Sequence, residues 1–488
     1  MGSAAAWRRV VSTVVTGSVL LVACTTDSDA PAASRPTSAG PNILLVMVDD
    51  ARPDEMQRVA DARPGGGFDW VRDNGVQFTR TWSTNNLCCP GRWTVLTGQT
   101  VFNHGQKENG PYRDIENALP SWLQDGGYCT ALTGKYVNGY NEERRPEGWD
   151  LWEPLIDSDE SNHKETGFTM QRRDGSTYEP DVFMTDHLLA VAREQMSSCF
   201  DEGRPLFQAF WPYAPHGGSD PEADYEQAKF PVEELLRDPR FDEADISDKP
   251  RWLQEARPTQ TEGLAANSSA QQRHRLRTLL SVDDAVEQLI TDLEERGELS
   301  NTAIIFTSDN GFLLGEHRLI GHKQVAYEAA QPTAWIAGPG FPSGVTSDAY
   351  AMNIDLAPTI ARLAGVEPAI TVDGLAWQDL LAAPELGHDR FLPFYVPIGA
   401  YEPGDDIQSR PQQATDGMGM RTWRYKYVEW ADGSTELYDL FEDPYELDNA
   451  SADPAYASIL TQMQDLLESK RDCAGDACRE PAPLSLQE

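Results

Sequence analysis

Two apolar runs that stop abruptly on acids constrain the fold of this chain more than any other feature. The first, Asn42-Ile43-Leu44-Leu45-Val46-Met47-Val48, ends at Asp49-Asp50; the second, Ala303-Ile304-Ile305-Phe306, ends at Thr307-Ser308-Asp309-Asn310-Gly311. An unbroken apolar run of this length describes a strand buried on both faces, with a polar tip. Helical patterns over 181–196 and 271–296 lie between the two. Strands alternating with helices predict an α/β fold, a mostly parallel sheet flanked by helices. Such sheets carry ligands at the carboxyl ends of their strands, where this chain places carboxylate and amide oxygens.

The pattern changes past Val372-Asp373-Gly374-Leu375. From about Phe391 short strands follow, over 419–422 and 425–430, joined by turns. A last helix is expected with Asp453 as N-cap and Pro454 in its first turn. Its apolar residues Tyr456, Leu460, Met463 and Leu467 recur at spacings of three and four. This predicts a smaller C-terminal α+β domain packed on the main one.

At the other end, Arg8 and Arg9 precede an apolar stretch over 10–23 that closes on Leu21-Val22-Ala23-Cys24. The stretch is short for a membrane span and suits an export signal. Its last four residues have the pattern of a bacterial lipobox, in which Cys24 becomes the lipid-bearing first residue. Ordinary signal cleavage beside an incidental Cys is the alternative. The Ser-, Thr-, Ala- and Pro-rich segment over 24–40 then reads as a disordered tether. An exported chain can oxidise cysteines; Cys473 and Cys478, which enclose a four-residue loop, are expected to pair, and Cys129 with Cys199 is a weaker candidate pair.

The net charge of −38 repels phosphate backbones, so nucleic acid is excluded as a partner. The apolar content of 40% with 13 Trp supports a large core, which sets general disorder aside.

Asp49, Asp50, Asp309 and Asn310 would offer a hard divalent cation its preferred oxygen ligands from two strand tips. No His or Cys cluster has zinc spacing, which favours calcium. Taken alone, Asp49-Asp50 could equally cap a helix or decorate a solvated loop. Cys88 precedes a helix expected to begin near Pro90 and stop at Gly98. A Cys there could be a packed core residue or a reactive thiol favoured by the helix N-terminus.

Cys88-Cys89-Pro90-Gly91-Arg92 fits Cys-x-Pro-x-Arg, the pattern read by formylglycine-generating enzyme, and here the chain resembles the sulfatase family of the alkaline-phosphatase superfamily. Further matches follow in family order: Gly134-Lys135-Tyr136-Val137-Asn138, Pro146-Glu147-Gly148-Trp149, Ala214-Pro215-His216, Asp309-Asn310-Gly311, Gly315-Glu316-His317, Lys323, Tyr327-Glu328, Asp355 to Thr359 and Glu436 to Leu440. The version of the motifs is most similar to the N-acetylglucosamine-6-sulfatase and heparan endosulfatase branch. The resemblance implies an alkaline-phosphatase-like catalytic domain over 41–385, a C-terminal domain over 386–488, and a signal segment over 1–23. It implies one Ca2+ per chain on Asp49, Asp50, Asp309, Asn310 and the residue at Cys88, which formylglycine-generating enzyme converts to formylglycine. Arg92, Lys135 and Lys323 would hold sulfate oxygens, and His216, or Lys323 beside it, would protonate the leaving alcohol. Asn138 and His317 are the expected substrate contacts. Two departures stand out: Gly91 replaces the usual Ser, and Val137 occupies the place where many members carry a His.

The function these residues imply is hydrolysis of sulfate esters on short sulfated sugars, such as 6-sulfated N-acetylglucosamine, at the outer face of a cytoplasmic membrane and held there by the lipid anchor alone. Phosphonate monoester or phosphodiester hydrolysis is the enzymatic alternative within the superfamily. A surface glycan-binding protein is the non-catalytic one, should Cys88 remain a thiol.

Overall fold

Every residue of strand β1 (Asn42–Val48) is buried, as an unbroken apolar run requires when both its faces are covered. The computed structural model describes residues 40–110, 112–141, 145–156, 165–256, 263–397 and 416–487. The expected signal segment, Cys24 and all of the tether but Gly40 lie outside the described residues.

β1 sits inside an eight-stranded sheet with β2 (Gly75–Trp82), β3 (Cys129–Gly134), β4 (Leu151–Pro154), β5 (Leu206–Trp211), β6 (Thr302–Ser308), β7 (Ala334–Ala337) and β8 (Val345–Met352), in the order β8-β2-β7-β6-β1-β5-β3-β4. All neighbours are parallel except β7, which runs antiparallel to both β2 and β6. The two-residue period of β1 divides its side chains between two cores. Ile43, Leu45 and Met47 meet Val95 and Leu96 of helix α3 (Cys88–Thr97) and Ile360 of α6 (Leu356–Ala364). Leu44, Val46 and Val48 meet the opposite layer, formed by α1 (Pro53–Ala62), α2 (Gly67–Asn74), α4 (Met184–Asp201) and α5 (Leu264–Glu295). Each such aliphatic side chain stabilises the fold by about 1.5–3 kcal/mol through its burial.

The C-terminal sheet is an antiparallel meander of β9 (Phe391–Val396), β10 (Gly417–Thr422), β11 (Tyr425–Trp430) and β12 (Thr435–Asp439). Met420 and Tyr427 pack under Met463 and Leu467 of α7 (Ala457–Lys470). Phe394, Val428, Trp430 and Tyr438 pack instead against Trp82, Leu319 and Tyr350 of the main body. Asp453 caps as its sequence position predicts, accepting from the Ala455 amide, but it opens a 3-10 turn over Pro454–Tyr456 before α7 begins. A tighter first turn is a common way to start a helix. Disulfides join Cys129 to Cys199, tying β3 to α4, and Cys473 to Cys478.

A buried charged centre at the strand ends

Parallel register brings the two acidic tips together. Val48 pairs with Ser308, so Asp49 and Asp309 leave the sheet side by side, and the Asp309 amide donates to the Val48 carbonyl at 3.2 Å. Asp50 then turns through the left-handed region at φ 67°, which a short polar side chain tolerates better than a bulky one. Its amide donates to Asp309 Oδ1 at 3.1 Å.

Helix α3 points its first turn at these tips. It begins at Cys88, two residues before the sequence predicts, and the Gly91 amide closes the first turn on the Leu87 carbonyl. Pro90 falls within that turn, where its missing N–H would have had no helical partner. The C-cap is Gly98 in the left-handed conformation, as expected. Cys88 and Arg92 are four residues apart and so share one face of the helix. That spacing accounts physically for the first and last positions of Cys-x-Pro-x-Arg.

Cys88 Sγ lies 3.1 Å from Asp49 Oδ1 and 3.6 Å from Asp50 Oδ1. Arg92 donates through Nε to Asp309 Oδ2 at 2.9 Å and through Nη1 to the Lys135 carbonyl at 2.5 Å. Lys135, directly after β3, sets Nζ 2.6 Å from Asp49 Oδ2. Lys323 Nζ bridges Asp50 Oδ1 at 2.8 Å and Cys88 Sγ at 3.1 Å. His216 Nε2 stands 3.6 Å from Asp50 Oδ2, and its Nδ1 lies 2.6 Å from the Tyr213 hydroxyl and 2.9 Å from the Gly217 carbonyl. A carbonyl only accepts, so Nδ1 carries a proton and Nε2 is the nitrogen turned to the cluster. All of these side chains are buried.

Three carboxylates therefore converge in a region closed to water. Burial alone would push Asp49 up, but Lys135, His216, Arg92 and Lys323 outweigh it and hold Asp49 well below the usual carboxylate range. Asp309 is pushed up to about 6, by burial first and by the Asp49 charge next. Ligand atoms of Asp49, Asp50, Cys88 and His216 lie within 4.8 Å of one another, a grouping that could hold a metal ion. Asn310 reinforces this: its Nδ2 donates to Asp50 Oδ1 at 2.7 Å, while its buried Oδ1 has no hydrogen-bond partner. A hard cation suits that oxygen-rich set and would relieve the crowding of like charges.

Two expected residues, His317 and Asn138, make no hydrogen bond to the cluster among the described residues. His317 is fully buried, bound through Nδ1 to Glu243 at 2.6 Å and stacked on Tyr327 at 3.9 Å, with no hydrogen bond to the cluster. Asn138 is half-buried, and its Oδ1 is enclosed without a hydrogen-bond partner. Val137 lies in the hydrophobic core beside Tyr136, Tyr140 and Trp152. Gly91 has a steric reason: a Cβ there would come within 2.4 Å of the Asp309 carbonyl oxygen.

Sequence reasoning missed the supports. Arg275, midway along α5, donates to the Asp50 carbonyl at 2.5 Å and the Pro215 carbonyl at 3.0 Å, and it pairs with Glu55 at 2.7 Å. It thereby fixes both the Asp50 turn and the loop that carries His216. Only the Glu55 partner left a local trace, as the third residue after Arg52, whose amide donates to it at 3.1 Å. Tyr213, three residues before His216, gave no separate signal.

Comparison with known proteins agrees with this geometry. The family model described as Sulfatase matches residues 41–366, and that described as N-sulphoglucosamine sulphohydrolase, C-terminal, matches residues 315–473. Extracellular sulfatase homologues of Caenorhabditis elegans and Drosophila melanogaster are each 31% identical over 70% of this chain, which spans only 49% and 31% of their respective lengths. The N-acetylglucosamine-6-sulfatase of Homo sapiens is 29% identical, covering 90% of this chain and 86% of its own. Among solved structures, one described as a complex with its substrate D-glucosamine-2-N,6-O-disulfate superposes with a TM-score of 0.71 at 23% identity, covering 88% of this chain and 97% of the other. At that identity the likeness speaks for the fold.

Proposed function

Because the chain belongs to the sulfatase family, we propose that it is a sulfuric ester hydrolase whose nucleophile is made from Cys88. The observation that carries this reading is the position of Cys88 Sγ, 3.1 Å from both Asp49 Oδ1 and Lys323 Nζ on the first turn of a buried helix. Formylglycine at this position would supply, as its hydrate, one oxygen to attack sulfur and a second to release the product. Ca2+ held by Asp49, Asp50, Asp309 and Asn310 would supply Lewis-acid stabilisation of negative charge. The remaining work falls to side chains already in place. Arg92 and Lys135 fix the orientation of Asp309 and Asp49 and, with Lys323, present positive charge to the sulfate oxygens. His216 Nε2, or Lys323 Nζ beside it, hands a proton to the departing alcohol.

The relatives named N-acetylglucosamine-6-sulfatase support a short sulfated sugar as substrate, such as 6-sulfated N-acetylglucosamine. The overall charge of −38 weighs against long sulfated polymers, within a screening length of about 8 Å. The extracellular relatives support export, while a lipid anchor at Cys24 rests on the Arg8–Cys24 pattern alone; losing both lipid labelling and detergent partitioning in Cys24→Ala is the expected result. The deciding experiment measures turnover of an aryl sulfate against an aryl phosphodiester, with the mass of the peptide spanning Cys88. Sulfate release by protein carrying an aldehyde at Cys88 supports the reading. Preference for the phosphodiester, or turnover with Cys88 wholly a thiol, overturns it.

A further inference from the structure

A cleft of about 490 Å³ opens between α1, the end of β2 and the turn after β12, and its walls include Asp54, Arg80, Glu328, Arg421, Leu440 and Pro444. This size is ordinary for a small-molecule site. The Arg80 guanidinium lies 4.1 Å from the centre of the Trp423 ring and 5.9 Å from that of Phe441. Among the described residues, no carboxylate comes within ion-pair distance of Arg80. Arg421, only 2% exposed, gives Nε to Glu328 at 2.8 Å and leaves Nη1 without a hydrogen-bond partner. Asp54, the other acid in the wall, is engaged by Arg52 at 2.8 Å. Arg80 is thus held by ring faces and not by a carboxylate, although the charges of Glu328 and Asp348 reach it. Burial and the nearness of Arg421 push Arg80 below its usual range, with Glu328 and Asp348 opposing them, and an anion set beside the two guanidiniums would offset their mutual repulsion.

The rim adds a second signal. Phe441 and Tyr445 are 45% and 41% exposed, each adjoining a wall residue, Leu440 and Pro444. Large aromatic side chains left open beside a charged cleft mark a binding surface rather than a core. Aromatic faces accept the apolar C–H face of a pyranose, while a planar guanidinium grips a carboxylate or sulfate.

We propose that this cleft is a second, non-catalytic site for a saccharide unit bearing a carboxylate or sulfate, with Arg80 pairing the oxyanion and Phe441 stacking on the ring. The choice of a saccharide over other anions rests in part on the sulfatase reading. The segments around it continue from those of the catalytic centre: Asp54 follows Asp50 by four residues and Glu328 follows Lys323 by five. The site would hold one unit of a short oligosaccharide, or a separate one, without touching the buried Cys88.

The test uses the full chain and a size-defined heparan tetrasaccharide, read locally as hydrogen-exchange protection of the segment 440–445. Protection should titrate in the parent protein and shift to at least tenfold higher ligand in Arg80→Gln and in Phe441→Ala, while kcat/KM for a small aryl sulfate stays unchanged in both. Two partly exposed positions are used so that poor folding of one variant leaves the other decisive. Parent-like protection in both variants overturns the proposal. So does protection by inorganic sulfate that Arg80→Gln removes and Phe441→Ala spares, which would mark a simple anion site. Absence of aryl sulfate turnover in the parent would instead defeat the sulfatase reading, and the protection series would still decide the cleft.

Discussion

Among the buried Asp–Arg pairs of the described residues, Asp355–Arg390 and Asp309–Arg92 differ in how completely the carboxylate is satisfied. Asp355 takes both Arg390 Nη1 and Nη2, at 2.6 and 2.7 Å, and each of its oxygens also accepts a backbone amide, from Met352 and Leu375 at 2.8 Å. Among the described residues, no second carboxylate forms an ion pair with Arg390. Asp309 receives Arg92 through Nε alone on Oδ2, while Oδ1 takes the amides of Asp50 and Asn310. Asp49 and Asp50 crowd in beside it, and burial with the Asp49 charge pushes Asp309 up to about 6. A buried ion pair serves a structural role when its carboxylate is fully hydrogen-bonded, as Asp355 is. Carboxylates gathered with incomplete partners describe a centre arranged for a further positive charge.

The comparison breaks first at the nucleophile. Cys88→Ala removes the sulfur that lies between Asp49 and Lys323, and turnover should fall by at least about a thousandfold, since Ala can neither attack nor be converted. Its melting temperature should stay near that of the parent, which calorimetry checks; Cys89→Ser, at the variable position, should keep activity. Residual turnover in a folded Cys88→Ala chain would remove the basis for the proposed chemistry.

The next effect separates the two aspartates. Asp309→Ala should lose turnover by about a hundredfold or more and lose calcium-dependent stabilisation. In the parent, calcium at a hundred times its dissociation constant should add about 2.7 kcal/mol, seen as a raised melting temperature over chelator-treated protein. Equal stabilisation of both proteins would show that the cation sits elsewhere. Asp355→Asn should instead destabilise the fold by about 3–5 kcal/mol, because Arg390 is left buried and partly unpaired. Denaturant titration reads that loss, and the folded fraction should keep the parent's calcium response.

The smallest effect tests how tightly α3 is seated. Gly91→Ser restores the residue common in related motifs, but its Cβ would press on the Asp309 carbonyl at 2.4 Å. The helix must shift, destabilising the chain by about 1–3 kcal/mol. A neutral or stabilising result from the same titration would show that the helix has room to move.

Local pattern was enough for much of this. The apolar run of β1 marked a doubly covered strand by its length, since seven residues suit a buried strand and fall short of an ordinary buried helix. Its abrupt stop at Asp49 placed the acids at a strand end, and Gly98 marked the end of α3, since only a glycine enters the left-handed cap without strain. Cys88 and Arg92 shared a face by helical spacing alone. Other features had no local trace. Arg275 reaches Asp50 from 225 residues away, and one arginine among many on an amphipathic helix carries no mark of its partner. Nor did the sequence around His317 mark Glu243 and Tyr327 as the residues that hold its ring. Arg80 lies against Trp423 and Phe441 only because β2, the turn after β10 and the turn after β12 meet. Sequence determines what each segment buries and where it stops, since those follow from short-range periodicity. Which polar groups then lack or find partners is decided by contacts between distant segments, and so only by the tertiary structure.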